Sequence, residues 1–174
     1  MKTLVEQLSG YAHYHRDPRN ICTHYVGVPM IMQGVVILLA RVHWGEVAGI
    51  PVSLASLAAL AAAVYYLCLD ARYGLFMGLL LMTMLALGAW VAAQPLGVWL
   101  LWGLGLFVVS WLIQFIGHYW EGRKPAFLDD VIGLLIGPLF VVAELGFVLG
   151  LRREVQAEVE LRSGPVRRRR AMNI

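Results

Sequence analysis

The chain has 174 residues, 60% of them hydrophobic and only 14% charged, with a formal net charge of +3 and a mean hydropathy of +0.70. A water-soluble domain of this length carries far more charge, so the composition points to lipid as the solvent for most of the chain. The basic run at 167–170 has no soluble basic domain around it; it reads as a membrane-surface or orientation signal, and no nucleic-acid partner is expected.

In chain order, the first feature is HYHRDPRNICTH at 13–24, which holds three of the five histidines. Asp17, Pro18 and Asn20 predict a turn there, with Asn20 as a helix N-cap. The first 25 residues show no apolar signal-peptide core, so insertion is expected through the chain's own helices. Four apolar stretches follow, each near the roughly 20 residues needed to cross a bilayer. They are Val26–Val42, Ile50–Leu69, Tyr73–Ala93 and Leu96–Ile116. Gln33 lies inside the first, and Arg41 at its end is placed to snorkel to the interface. The linkers VHWGEVAG, DAR and QPLG are short, which implies antiparallel neighbours. A fifth apolar stretch, Val131–Leu151, contains Pro138 and Glu144 and fits a broken or re-entrant segment as well as a straight span. The tryptophans and tyrosines fit interfacial belts, and the glycines of the later spans fit close helix packing. Cys22 and Cys68 show no metal, redox or disulfide spacing.

The expected fold is an all-α integral membrane protein: a compact bundle of four transmembrane helices plus a broken or re-entrant fifth segment. Residues 1–151 are expected to form one membrane domain, and 152–174 a basic, flexible C-terminal tail. Lys2, Arg16, Arg19, Arg72, Arg123 and Lys124 place the N-terminus, the 70–72 turn and the 117–130 segment in the cytoplasm by charge bias. A re-entrant fifth segment keeps the arginine-rich tail on that side as well.

This topology brings His13, His15, His24 and His118 to one face, with His43 near the other, where it reads as an interfacial residue. Several imidazoles converging at one point make a transition-metal site. His13 and His15, two residues apart, cannot share a helical face, so one of them stands aside. His118 and Glu121 form H-x-x-E and do share a face, which lets the carboxylate join the site or hydrogen-bond a ligand. Glu144 is a functional candidate as a carboxylate in an apolar segment, pairing with Arg123 or Lys124 or supporting the metal shell. Asp129 and Asp130 are placed to cap the following helix. No G-x-S-x-G, phosphate loop or H-E-x-x-H is present. Five histidines are also too few for the eight-histidine pattern of di-iron membrane desaturases.

YAHYHRDPRNICTHYVGVP, WLIQFIGHYWEGRKPAFLDD and GPLFVVAE together resemble the signature blocks of a family of small membrane proteins long catalogued as a domain of unknown function. A studied member is a membrane-embedded, iron(II)-dependent 2-hydroxy fatty acid dioxygenase of the endoplasmic reticulum. The resemblance covers about residues 7–150; Phe127 departs from the family's usual Leu, and the basic tail lies outside it. It implies that His15, His24 and His118 hold Fe(II), while His13 falls where other members carry an aromatic residue. It also implies that a long-chain 2-hydroxy fatty acid is cleaved between C1 and C2 by O₂ to the acid one carbon shorter, the α-oxidation step. The implied location is a bacterial inner membrane or an endoplasmic reticulum type of membrane, with the metal site facing the cytoplasm. Arg123 or Lys124 would orient the substrate carboxylate, with Glu121 nearby. Two other readings use the same histidines: a non-enzymatic membrane metal-binding or transport protein, and a zinc-dependent lipid hydrolase. Spans two to four lack the midplane polar groups that a transporter would want, and imidazoles alone do not separate zinc from iron.

Overall fold

Residues 2–47 and 50–167 are described in the computed structural model. Among them the chain forms α1 (Leu4–Ala12), α2 (Pro18–Ala40), β1 (His43–Val47), β2 (Ile50–Ser53), α3 (Leu54–Leu69), α4 (Ala71–Ala92), α5 (Leu96–Glu121), α6 (Gly133–Val148) and α7 (Arg153–Ser163). A short 3-10 turn, Ala126–Leu128, precedes α6. Three helices, α2, α4 and α5, are long and apolar enough to cross a membrane. Large apolar side chains such as Leu75 on α4 and Leu101 on α5 point outward, each 70% exposed. Faces of this kind are stable in lipid and costly in water.

The expected boundaries shift for identifiable reasons. The first span begins earlier than Val26 because Pro18 can open a helix, having no N–H to leave orphaned. Asp17, not Asn20, supplies the cap: its Oδ1 accepts from Arg19 N–H at 2.9 Å, and Asn20 lies inside the helix. The second expected span, Ile50–Leu69, is not helical throughout. Its first four residues form β2, paired antiparallel with β1 inside what the sequence offers as a linker. Ser53 then starts α3 through a reciprocal capping box with Ser56. The remaining 16-residue helix is only about 24 Å long, shorter than the roughly 30 Å hydrocarbon core. Three helices are thus long enough to span on their own, α3 is shorter, and a fourth span is reached only if the bent pair of α6 and α7 is counted as one.

The fifth stretch forms a single helix, α6, that runs unbroken through Pro138, and the bend comes at its end. That proline sits in the second turn of α6, so its missing N–H removes a single bond near the helix start. The break comes at 149–152, where Gly150 (φ 76°) and Arg152 (φ 50°) adopt left-handed backbone, and α7 leaves α6 at 116°. Arg153–Ser163, part of the expected flexible tail, is thus helical. Arg168–Arg170 of the basic run lie outside the described residues.

Backbone contacts divide the chain into two units, Met1–Tyr25 with Ile113–Ile174, and Val26–Leu112. In the first, α1 packs against α6 and α7. Leu4, Leu8 and Ala12 are buried on α1, Val155 and Val159 on α7, and Ile136, Leu139 and Phe140 on α6. In the second, α3 and α4 form a hairpin turned at Asp70, whose carboxylate accepts from the N–H groups of Arg72 (2.9 Å) and Tyr73 (3.0 Å). Val36, Ala40, Ala55 and Met84 form a buried apolar cluster there. Arg41 does not merely snorkel: its guanidinium donates to the carbonyls of Ala92 and Gln94 at 3.1 and 3.0 Å. It also lies 4.9 Å from the Trp99 ring.

Gly74 sets how closely α3 and α4 approach, since a Cβ there would lie 2.6 Å from the Leu67 backbone. Gly78, one turn on, faces open space. Gly74→Ala is expected to cost about 1–3 kcal/mol, and Gly78→Ala to be neutral or slightly stabilising. Thermal unfolding of both variants in detergent measures the difference.

Candidate metal centre

His15 stands between α1 and α2, His24 lies in the second turn of α2, and His118 is near the end of α5; all three belong to the first unit. They are 0%, 2% and 6% exposed. One ring nitrogen from each lies within 4.8 Å of the others, and no further Cys, Asp or Glu joins the group among the described residues. The ring centroids are 4.3 Å (15–24), 5.0 Å (15–118) and 5.2 Å (24–118) apart.

Hydrogen bonding fixes what these rings can do. His15 Nδ1 lies 2.8 Å from the Tyr11 carbonyl, and His24 Nδ1 lies 2.8 Å from the Asn20 carbonyl. A carbonyl only accepts, so each Nδ1 carries the proton and each Nε2 is left with a bare lone pair. Those two Nε2 atoms face each other at 3.0 Å. A hydrogen bond between them would require one ring to be doubly protonated. Burial, with His24 and His118 beside it, holds the His15 pKa well below the usual histidine range, so that ring is neutral. Two lone pairs at this spacing fit a shared cation: nitrogens bound side by side to one ion at roughly 2.1 Å sit about 3 Å apart. His118 adds an orphan, a buried Nδ1 with no hydrogen-bond partner among the described residues. The backbone carbonyls behind His15 and His24 are the outer partners that metal-bound imidazoles normally have. The donor set therefore fits a divalent transition metal.

Glu121 shares the face of His118 as the spacing predicts, but its carboxylate serves the loop rather than the ring cluster. The side chain is fully buried. Its Oε2 accepts from Arg16 N–H (3.0 Å), Asp17 N–H (2.7 Å) and Asn20 Nδ2 (3.1 Å). The end of α5 thereby clamps the turn between His15 and α2. Arg123 and Lys124 lie just beyond, outside the ring cluster. Arg123 donates to the His13 carbonyl at 2.9 Å, and Lys124 pairs with Asp129 at 2.5 Å, 59% exposed. Asp129 also accepts from Tyr14 Oη at 2.7 Å. Neither Asp129 nor Asp130 caps α6, whose N-cap is Ile132 with no side-chain hydrogen bond; Asp130 Oδ1 instead accepts from Ile132 N–H at 3.0 Å in the turn before the helix. His13 is exposed, apart from the other three, and His43 is exposed on β1.

Sequence reasoning missed Arg16 and Tyr11. Arg16, counted only as a topology charge, is the buried partner of Glu144 at 3.5 Å, where Arg123 or Lys124 had been expected. Its Nε also donates to the carbonyls of Ala12 and His15 at 2.8 and 2.9 Å. The Tyr11 ring stacks flat on His15, with centroids 4.2 Å apart and planes 4° from parallel. The four-residue spacing of Tyr11 and His15 was the available signal.

Gly117 lets α5 meet α2 at this point: a Cβ there would collide with Thr23 Oγ1 and lie 2.5 Å from Asn20 Oδ1. Gly117→Ala is expected to push His118 away from His24, lower stability by about 1–3 kcal/mol and weaken metal retention. Thermal unfolding and metal analysis of the purified variant check both effects.

The sequence matches the family described as 2-hydroxy-palmitic acid dioxygenase Mpo1-like over residues 1–149, a span that contains all three clustered histidines. It is 31% identical over 159 residues to the 2-hydroxy-palmitic acid dioxygenase MPO1 of Saccharomyces cerevisiae, covering 90% of this chain and 87% of that protein. No solved structure matches it. The chain belongs to the 2-hydroxy-palmitic acid dioxygenase Mpo1-like family.

Proposed function

We propose that this protein is an iron(II)-dependent dioxygenase that cleaves the C1–C2 bond of long-chain 2-hydroxy fatty acids, giving the acid one carbon shorter. The observation that carries the reading is the pair of bare Nε2 atoms 3.0 Å apart beside a buried His118, in a chain similar to a 2-hydroxy-palmitic acid dioxygenase. The conversion balances without a separate reductant. C2 becomes the new carboxyl carbon, C1 leaves as carbon dioxide, and dioxygen takes up the electrons released and ends in the acid and in water. The substrate supplies all the electrons, so a nicotinamide, flavin or 2-oxoglutarate is not required.

His15, His24 and His118 are the proposed ligands. Iron(II) bound by them would supply dioxygen binding and activation and open positions for the substrate's hydroxyl and carboxylate. The carbonyls of Tyr11 and Asn20 keep two of the rings in the tautomer that offers Nε2. Glu121 keeps the His15 turn on α5, so it acts through the loop rather than on the substrate. Arg123 and Lys124, on the turn after His118, are proposed to steer the incoming carboxylate; as exposed cations they would influence substrate capture more than the chemical step. The apolar helices supply a hydrocarbon setting for the acyl chain, with the histidine end proposed to face the cytoplasm.

The test is incubation of purified protein with iron(II), O₂ and 2-hydroxypalmitate, with products read by mass. The expected outcome is the acid one carbon shorter, with one O₂ consumed and one CO₂ released per turnover and no added reductant. Alanine at His15, His24 or His118 should abolish turnover, and His43→Ala should retain it. Strict dependence on 2-oxoglutarate or a nicotinamide, or full activity of His118→Ala, would falsify the proposal.

A further inference from the structure

The C-terminal segment past residue 149 lies beyond the stretch matched by the family, yet it reaches the turn that carries His15. Helix α7 lies against α1 and buries Val155 and Val159. After it, residues 164–167 run as a strap beside residue 16. The Gly164 carbonyl accepts from Arg16 Nη1 at 2.8 Å, and the Arg167 N–H donates to the Arg16 carbonyl at 2.8 Å. The Arg167 guanidinium lies 3.3 Å from Glu121 Oε1. That oxygen is buried and has no hydrogen bond among the described residues. Glu121 is thus shared: Oε2 holds the Arg16–Asp17 turn, and Oε1 faces the Arg167 guanidinium.

We propose that the C-terminal strap, acting through Arg167, is a positioning element of the metal centre that holds the His15 turn in its metal-ready arrangement. The reasoning is electrostatic and geometric. A carboxylate with 0% side-chain exposure that loses the cation 3.3 Å from its Oε1 must repel, protonate or turn toward water. Any of those movements pulls Oε2 off the N–H groups of Arg16 and Asp17. His15 is the residue next to that turn and has no helix of its own to hold it, because α1 ends at Ala12 and α2 begins at Pro18. Arg167 touches no ligand nitrogen, so it sets where His15 stands and takes no part in the reaction. The proposal rests on the triad being the iron site, and its test separates the two ideas.

The experiment uses the full chain, Arg167→Gln, Arg167→Lys and a chain ending at Ser163. Amide hydrogen exchange over residues 13–20 is measured without metal, iron(II) affinity by titration of the apoprotein, and kcat at saturating iron(II). Arg167→Gln and the shortened chain should exchange about tenfold faster at 13–20 and bind iron(II) about tenfold more weakly. Their kcat should remain near the full chain's once iron is saturating, and Arg167→Lys should restore both properties. Exchange and affinity within twofold of the full chain in Arg167→Gln would overturn the proposal, and that variant decides the question if the shortened chain does not fold. Failure of the full chain to bind iron(II) would instead sink the iron reading, and the exchange result would still decide whether the strap holds the turn.

Discussion

Two imidazoles that face each other Nε2 to Nε2 across 3.0 Å repel through their lone pairs unless a cation joins them. That constraint organises the first unit. Each ring is committed to it from behind, His15 by the Tyr11 carbonyl and His24 by the Asn20 carbonyl, four residues back in both cases. The commitment costs stability in the metal-free protein, since like partial charges are held together in a dry place. A cation held by the group would offset that cost, and a metal bound to the folded state alone would stabilise that state by mass action.

The surrounding structure keeps the two lone pairs and His118 from relaxing apart. Tyr11 covers one face of the His15 ring. Glu121 fastens the His15 turn to α5, and α5 also carries His118, so two of the three rings are referred to the same helix end. Gly117 allows that helix end to reach α2, which carries the third ring. Arg16 sits behind the cluster with its guanidinium spread over the Ala12, His15 and Gly164 carbonyls and the Glu144 carboxylate. Burial tends to lower the Arg16 pKa, and its acidic neighbours, Glu144 foremost, work against that. The apolar segment tolerates Glu144 for the same reason: the two buried charges answer each other.

Much of the site is legible in the sequence. Three histidines at a membrane edge and a second block with H-x-x-E point to an imidazole cluster on one face but leave open which of His13 and His15 stands aside; it is the family resemblance that singles out His15, His24 and His118. Hydropathy located α4 and α5 to within a few residues, because helices surrounded by lipid must be apolar throughout. What escaped reading is the part decided by long-range polar contacts. Glu121 looked like a possible ligand because i,i+3 spacing reports a shared face but not which partner the carboxylate meets. Arg16 looked like a surface charge because a sequence does not reveal that Glu144, 128 residues away, comes to meet it. The β1–β2 ribbon and the shortened α3 were hidden for a local reason: Ile50–Ser53 is apolar enough to extend a span by hydropathy, yet Pro51 and the Ser53 cap start the helix four residues later.

The most direct test of the account is the metal content of protein purified without added metal and reconstituted anaerobically with iron(II). The facing Nε2 pair and the orphan His118 nitrogen predict one iron(II) per chain, with a marked rise in thermal stability on binding. His118→Ala is expected to lose both. Protein that stays metal-free, with stability unaffected by iron(II) or any other divalent transition metal, would contradict the claim that a cation joins the two lone pairs.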